Sequence, residues 1–191
     1  MNILVTGGAG FIGSHVCVKL LLLGHKVLVI DNLSNSHLSS LKSISEIVKT
    51  NLDIDRNLNF YHGDIRDQNP LKEIFSKNSI DVVIHLAGLK SVKESVEHPK
   101  KYYSNNVNGS INLFSLMRKF NCKTVIFSSS ATVYGPSNKM PVNEKAELSP
   151  INPYGENKKN IKYILLDLYN VDKSWKIAIL RFFNPIGAHE S

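Results

Sequence analysis

The sequence predicts an α/β fold built on a doubly wound parallel sheet. Three observations predict it: short apolar runs recur along the chain, helical patterns separate them, and the first run leads directly into a glycine-rich turn. The apolar runs are nearly continuous, which is typical of strands buried on both faces of a parallel sheet. Strands that alternate with helices indicate right-handed βαβ units.

The apolar runs predict six strands, at Asn2–Thr6, Lys26–Asp31, Leu58–His62, Asp81–Ala87, Thr124–Ser128 and Lys176–Phe182. Helices are expected at Gly13–Leu23, around Ser40–Lys49, and at Asn69–Lys77, Tyr102–Phe120 and Tyr154–Tyr169. Gly24 follows the first of these as a natural C-terminal cap. The polar segment Ser34–Asn59 is expected to be a surface loop around its helix, and Gly135–Pro153 an irregular loop.

The length and charge of the chain narrow the class of protein. A chain of 191 residues can bury one well-formed core but not two ordinary ones, so we expect a single domain over residues 1–191. The net charge of +7 leaves an anionic partner open. The lysines are scattered and form no tract, which favours an ordinary basic surface over nucleic-acid binding.

Cysteine placement and hydropathy predict the cellular environment. Cys17 and Cys122 both lie in apolar segments, as buried free thiols do, and we expect neither a disulfide nor a metal site from them. The first strand begins at once, with no leader pattern, and the apolar stretch VKLLLL is far too short for a membrane span. A cytoplasmic protein without a membrane partner is expected.

The glycine-rich turn predicts dinucleotide binding. Gly7, Gly10 and Gly13 form the pattern G-x-x-G-x-x-G between a strand and a helix. Glycines there permit a tight turn and let backbone amides approach a pyrophosphate at the helix N-terminus. The second strand ends in Asp31, where a carboxylate would accept ribose hydroxyls and repel a 2′-phosphate, although a solvated strand-end acid is the alternative. This Rossmann pattern favours NAD over NADP.

A serine, a tyrosine and a lysine form the candidate catalytic group. Ser128, Ser129 and Ser130 end the fifth strand, at the edge of the sheet where α/β proteins bind ligands. Tyr154 and Lys158 are four residues apart and share one face of a helix. We expect the ammonium of Lys158 to lower the pKa of the Tyr154 phenol, so that it can act as a base at neutral pH.

Several stretches together resemble one family. They are TGGAGFIGSH, DNLSNS, GDIRD, HLAGLKSVKESV, YYSNNVNG, FSSSATVYG, NPYGENK and LRFFNPIGAHES, and they extend from the first residue to the last. They resemble the extended short-chain dehydrogenase/reductase family and, within it, the UDP-glucose 4-epimerases. The related dehydratases usually carry an Asp-Glu pair where this chain has Thr132-Val133, which favours epimerisation. Asn157 stands where the family commonly has serine.

The resemblance implies a set of site residues. Cofactor-binding residues would be Gly7, Gly10, Phe11, Ile12, Gly13, Asp31, Asn32, Leu33, Ser34, Asn35, Ser36, Asp64, Ile65, Leu86, Ala87, Gly88, Leu89, Lys90, Asn105, Tyr154, Lys158 and Phe183. Substrate-binding residues would be Lys90, Ser130, Thr132, Tyr154 and Asn184, and catalytic residues Ser130, Tyr154 and Lys158. From position alone, Asp64 fits a turn cap as well as an adenine contact, and Lys90 fits a surface lysine as well as a pyrophosphate ligand.

The resemblance also implies a reaction. Tyr154 would take the proton of the sugar 4-hydroxyl of UDP-glucose or UDP-galactose while hydride passes to NAD, and return of hydride to the other face would invert C4. Family chains continue for roughly 150 residues past the GAH-x-S stretch, a length comparable to a second domain. The substrate domain is therefore expected to be largely absent here. A non-catalytic NAD-binding module, a different nucleotide sugar and a homodimer through the helices at 102–120 and 154–169 all remain open.

Overall fold

A parallel sheet of six strands forms the middle layer of the computed structural model, which describes residues 1–49, 57–136 and 140–190. The strands are β1 (Asn2–Thr6), β2 (Lys26–Asp31), β3 (Leu58–His62), β4 (Val82–His85), β5 (Thr124–Ser130) and β6 (Lys176–Phe182). They lie in the order β3-β2-β1-β4-β5-β6. This is the Rossmann order, so the predicted fold class is confirmed. Because β1 lies between β2 and β4, its carboxyl end borders the crevice where strand order reverses.

Four strands have the predicted bounds and two differ. β4 ends at His85 because the backbone amide of Ala87 donates to the Thr6 hydroxyl instead of continuing the ladder. β5 extends to Ser130 because Ser129 and Ser130 pair with Arg181 and Phe182 of β6.

Helices cover both faces of the sheet. They are α1 (Phe11–Leu22), α2 (Leu38–Lys49), α3 (Gln68–Lys77), α4 (Val92–Glu97), α5 (Pro99–Tyr102), a π-helix (Tyr103–Asn108), α6 (Gly109–Lys119) and α7 (Pro153–Val171). One buried cluster lies between the sheet and α1 and α2, and a second between the sheet and α3, α6 and α7. The first cluster is aliphatic and the second is aliphatic and aromatic, so the sheet is buried from two sides as its continuous apolar strands predict.

The prediction of one continuous helix over Tyr102–Phe120 was wrong. The π-helix interrupts it, and this wider turn buries the side chain of Asn106. Asn106 accepts a hydrogen bond from the Leu89 amide at 2.8 Å and donates to the Leu89 carbonyl at 3.0 Å. The irregular helix therefore fixes the loop that follows β4.

Other local expectations have mixed outcomes. The α1 helix ends at Leu22, and Gly24 follows it with φ +77°, the left-handed conformation expected of a C-terminal cap. Cys17 and Cys122 are buried free thiols. The segment predicted as loop and helix over Ser34–Asn59 contains α2, and its residues 50–56 lie outside the described residues. The expected irregular loop has no helix or strand over 140–152, and residues 137–139 are not described. No helix in the described ranges is long and apolar enough to cross a membrane.

Candidate active site

A cleft of about 670 Å³ opens at the carboxyl ends of the strands. Most of the predicted site residues line it: Gly7, Gly10, Phe11, Ile12, Gly13, Asp31, Asn32, Ser34, Asn35, Ile65, Leu86, Ala87, Gly88, Leu89, Lys90, Asn105, Ser130, Thr132, Tyr154, Lys158, Phe183 and Asn184. The sequence therefore predicted a set of distant residues that the fold brings to one surface.

The glycine turn forms the floor of this cleft. Gly7 has φ +71°, and a Cβ there would lie 2.8 Å from the backbone nitrogen of Ala87. A Cβ on Gly13 would collide with the carbonyl oxygen of Gly7. α1 starts directly after Gly10 and has no acidic residue in its first turn, so its free amides and dipole favour an anion at this point.

Asp31 lies at the end of β2 with its carboxylate held by three donors. One oxygen accepts from the Ala9 amide at 3.1 Å, and the other accepts from the Leu33 amide and the Ser36 hydroxyl, each at 2.9 Å. A carboxylate offers about four acceptor positions, so one remains for a ribose hydroxyl in the cleft. The position next to the glycine turn is what a dinucleotide site requires.

Three predicted cofactor residues do not line the cleft: Leu33, Ser36 and Asp64. Ser36 is buried and orients Asp31. Asp64 receives the Arg66 guanidinium at 2.9 and 2.7 Å and the Asn32 side-chain amide at 2.9 Å. These hydrogen bonds, led by that from Arg66, lower the pKa of Asp64 to about 2. Asp64 thus supports Asn32, which does line the cleft.

Ser130, Tyr154 and Lys158 meet at the opposite end of the cleft from Asp31. Ser130 ends β5 and accepts from the Thr132 hydroxyl at 2.9 Å. Tyr154 lies in the first turn of α7, whose N-terminus is capped by Asn152. Lys158 is buried one turn later and donates to the Ser128 carbonyl at 2.7 Å. The predicted trio therefore forms one group.

The expected lowering of the Tyr154 pKa by Lys158 requires correction. Burial raises the pKa of Tyr154, and a hydrogen bond from Ser130 lowers it in part. The Lys158 ammonium lies 5.9 Å from the centroid of the Tyr154 ring and 4.9 Å from that of Phe127. Burial also lowers the pKa of Lys158 to about 8, so the ammonium remains mostly charged at pH 7. The Lys158 charge lies near the phenol, but desolvation of the phenol has the larger effect, and the pKa of Tyr154 is raised.

Asn157 lies on α7 directly before Lys158. It is fully buried, and neither its amide nitrogen nor its oxygen has a hydrogen-bond partner among the described residues. Adjacent Lys158 donates to the Ser128 carbonyl beside it. An unsatisfied buried amide costs stability, so Asn157 weakens the packing of α7.

The side of the cleft beyond the trio is open. Phe183 is 71% exposed, and Asn184 is exposed beside it. Lys90 is also exposed at the rim, on the loop held by Asn106. These three residues line the cleft, and their side chains are exposed to solvent.

Sequence reasoning placed Ser128 and Ser129 at the ligand-binding edge of the sheet, and both line the cleft, but it missed other lining residues, namely Ile30, Gly63, Val92, Ala131, Phe182 and Pro185. Most are immediate neighbours of predicted residues along a strand end. Val92 begins α4, which was not predicted, although the sequence carried a signal for it. Ser91 caps that helix by accepting from the Glu94 amide, and Ser-x-x-Glu is a capping-box pattern.

Comparison with known proteins gives the same assignment as this geometry. A family model described as the NAD dependent epimerase/dehydratase family matches residues 3–191. The chain is 50% identical over 190 residues to the bifunctional UDP-glucose 4-epimerase and UDP-xylose 4-epimerase 1 of Pisum sativum, matching all of this chain and 54% of that protein. It is 48% identical over 191 residues to UDP-glucose 4-epimerase of Bacillus subtilis (strain 168), matching all of this chain and 55% of that protein.

A solved structure agrees. The UDP-glucose 4-epimerase of Bifidobacterium longum, in complex with NAD+ and UDP, superimposes with a TM-score of 0.94 at 43% identity, covering all of this chain and 55% of that one. The chain spans about half the length of the relatives it matches. Its sheet order, glycine turn and Ser-Tyr-Lys group all lie within the matched residues. The chain therefore belongs to the NAD dependent epimerase/dehydratase family.

Proposed function

We propose that this chain is the NAD-binding part of a UDP-glucose 4-epimerase, which inverts C4 of a UDP-hexose by transient oxidation and so interconverts UDP-glucose and UDP-galactose. The observation that carries the proposal is the shared cleft. The glycine turn and Asp31 lie at one end, and Ser130, Tyr154 and Lys158 lie at the other. The relatives' further length would hold most of the substrate site.

The residues present fit NAD. A side chain on Gly7 would collide with the Ala87 backbone and one on Gly13 with the Gly7 carbonyl, so the glycines keep the turn tight and let its backbone approach a pyrophosphate. The N-terminus of α1 attracts its charge, and Asp31 accepts from a ribose while excluding a 2′-phosphate. Bound NAD would supply reversible hydride acceptance at the Tyr154 end of the cleft.

The chain's own residues would handle the proton. Ser130 and Thr132 would hydrogen-bond the sugar hydroxyl and hold it against Tyr154, which takes its proton. Lys158 keeps its charge at neutral pH and would favour the phenolate once it forms. Thr132 and Val133 offer no carboxyl group, so the acid and base needed to eliminate water are missing at these positions. Epimerisation is therefore favoured over dehydration.

The test is conversion of UDP-galactose to UDP-glucose by the 191-residue chain with added NAD, together with NAD binding measured by calorimetry. We expect NAD to bind and, where turnover occurs, Tyr154→Phe to lower kcat by about 10²- to 10⁴-fold, because the phenol is the base. Tyr163→Phe, which removes an exposed phenol from the same helix, is the matched control and leaves kcat unchanged.

The second candidate is a non-catalytic NAD-binding module. Its support is that the chain spans about half the length of its relatives. NAD binding without turnover would favour the module, whereas absence of NAD binding by folded chain would contradict both candidates. Turnover of UDP-N-acetylhexoses or UDP-pentoses in place of UDP-galactose would change the assigned sugar and keep the reaction.

We further propose that the chain pairs as a homodimer through the π-helix, α6 and α7. Support comes from exposed apolar side chains on their outer turns: Tyr103, Ile111, Tyr163, Leu166 and Tyr169. Sedimentation equilibrium is expected to give twice the mass of one chain, and Leu166→Glu to give a monomer. A monomeric parent chain at tens of micromolar would contradict this proposal.

Free buried thiols at Cys17 and Cys122 support a cytoplasmic location.

A further inference from the structure

A buried histidine lies beneath the cleft without touching it. His85 is the last residue of β4 and is 1% exposed. Its Nδ1 lies 2.7 Å from the Thr6 hydroxyl at the end of β1, and its Nε2 lies 2.8 Å from the Ser110 hydroxyl of α6. The ring also packs against Phe114 and Phe127, with centroids 5.9 and 5.7 Å away.

With a neutral ring, the hydrogen bonds around His85 can run in only one direction. Ser110 lies 2.5 Å from the Asn106 carbonyl oxygen, which can only accept, so the Ser110 proton points there. Ser110 must then accept from the histidine, which places the ring proton on Nε2. Unprotonated Nδ1 accepts the Thr6 hydroxyl proton, and the Thr6 oxygen is left to accept from the Ala87 amide at 3.1 Å.

These hydrogen bonds form a relay from the Asn106 carbonyl through Ser110, His85 and Thr6 to the Ala87 amide, and the relay ends at the cofactor cleft. Thr6 directly precedes Gly7 of the glycine turn, and Ala87 belongs to the loop that lines the cleft after β4. The same π-helix residue that anchors one end of the relay, Asn106, also holds Leu89 through its side chain. The loop is thus tied to the π-helix at two points, one of them through His85.

We propose that His85, as the neutral Nε2–H tautomer, is a positioning residue that sets the geometry of the NAD cleft by accepting the Thr6 hydroxyl proton, which leaves the Thr6 oxygen facing the Ala87 amide. Burial, together with the charge of Lys158, lowers the pKa of His85 to about 3, which is consistent with a neutral ring. The role rests on NAD binding as proposed above, but the hydrogen bonds it invokes belong to the chain alone.

The first experiment measures the Kd for NAD and the Tm of Thr6 variants of the full chain. Thr6→Val keeps the side-chain shape and removes the hydroxyl, so we expect the Kd to rise about tenfold or more. Thr6→Ser keeps the hydroxyl and is expected to stay within about threefold of the parent, although it removes a buried methyl group. Equal Kd values for Thr6→Val and the parent, measured below the Tm of both, would overturn the proposal.

Variants of the histidine separate positioning from packing. His85→Asn carries an acceptor at the place of Nδ1 but loses the ring, whereas His85→Phe keeps the ring contacts and loses both hydrogen bonds. We expect His85→Asn to bind NAD more tightly than His85→Phe, even if its Tm is lower. If the Kd values follow the Tm values instead, His85 acts only through packing and the proposal fails.

A third measurement does not depend on the cofactor. Nitrogen-15 NMR of the parent should show His85 as the Nε2–H tautomer. Hydrogen exchange at the Ala87 and Leu89 amides should accelerate in Thr6→Val, while the amides of the β1–β2 ladder stay protected. The opposite tautomer, or unchanged exchange, would contradict the positioning role. Failure of NAD binding with these signatures present would contradict only the proposed function.

Discussion

Lys158 carries a positive charge into a fully buried position between Phe127 and the Ser128 carbonyl. Desolvation of this ammonium costs stability, which explains why its pKa falls to about 8 from the ordinary 10.5. A residue retained at such a cost is typical of a functional site. At the scale of single residues, therefore, Lys158 makes the folded chain less stable than an uncharged side chain at the same position would.

The pH dependence of stability tests this cost. Between about pH 8 and 10.5 the unfolded chain holds the Lys158 proton and the folded chain does not, so folded stability rises with pH over this window. We expect Lys158→Met to be more stable than the parent at pH 7, and its advantage to shrink by about 2 kcal/mol by pH 10. Urea unfolding at a series of pH values measures it.

The control for that series is Lys159→Met, which removes a neighbouring positive charge that pairs with Glu156 at 3.9 Å. The difference in free energy of unfolding between Lys159→Met and the parent should not shrink between pH 7 and pH 10. An advantage of Lys158→Met that is constant from pH 7 to 10 would show that the buried ammonium does not titrate in this range.

Residue chemistry was predictable where it depended on spacing along the chain. The glycines, Asp31, Tyr154 and Lys158 stand at fixed distances from strand ends or from each other, and the cleft contains all of them. The relay through Thr6 and His85 joins residues 79 positions apart, and no local pattern indicates it. The raised pKa of Tyr154 was missed for a related reason, because burial depends on tertiary packing rather than on the helix alone.

At the scale of elements, two glycines end up in the same backbone conformation with different surroundings. Gly7 has φ +71° and no room for a side chain, whereas Gly24 has φ +77° and no atom within 4 Å of a Cβ. Adding a side chain at Gly24 costs only the strain of a left-handed backbone, whereas adding one at Gly7 also costs a collision with Ala87 in the loop that follows β4. Gly24 belongs to a helix end and Gly7 to the cleft floor.

Substituting alanine at each position makes this a matched test. Gly24→Ala should lower the free energy of unfolding by about 1 kcal/mol, as a left-handed alanine costs, and leave NAD binding unchanged. Gly7→Ala must also displace Ala87, so we expect a larger loss and no measurable NAD binding. Denaturant unfolding and calorimetry measure the two effects. Intact NAD binding in Gly7→Ala would show that the β4 loop can move aside.

Elements were predictable where apolar periodicity was unbroken. The core strands and α7 lie within two residues of their predicted ends. The separate elements from Ser91 to Lys119 were not predicted from the hydropathy pattern, because α4 and α5 are each six residues or fewer and the π-helix buries a polar residue, Asn106. The contact of buried Asn106 with Leu89 is a tertiary interaction, and no local sequence pattern indicates it.

At the scale of the whole molecule, NAD binding in the cleft should stabilise the folded chain. A ligand that binds only the folded chain stabilises it by about 2.7 kcal/mol at one hundred times its Kd. For a chain of this size we expect NAD to raise the Tm by roughly 5–10 °C at that concentration. NADP at the same concentration should give a much smaller shift, because Asp31 repels its 2′-phosphate. Equal shifts would contradict the assignment of Asp31.

The sheet order has a consequence for the nascent chain. β1 is a central strand, and its second neighbour is β4, whose residue His85 pairs with Thr6 across 79 positions. At a synthesis rate of about 5–20 residues per second, one edge of β1 waits roughly 4–16 s for its partner to be made. During that interval β1, β2 and β3 can assemble, but the apolar edge of β1 is open to other chains. The ribosome-bound intermediate, rather than the finished protein, is therefore the state in which chaperones have most to protect.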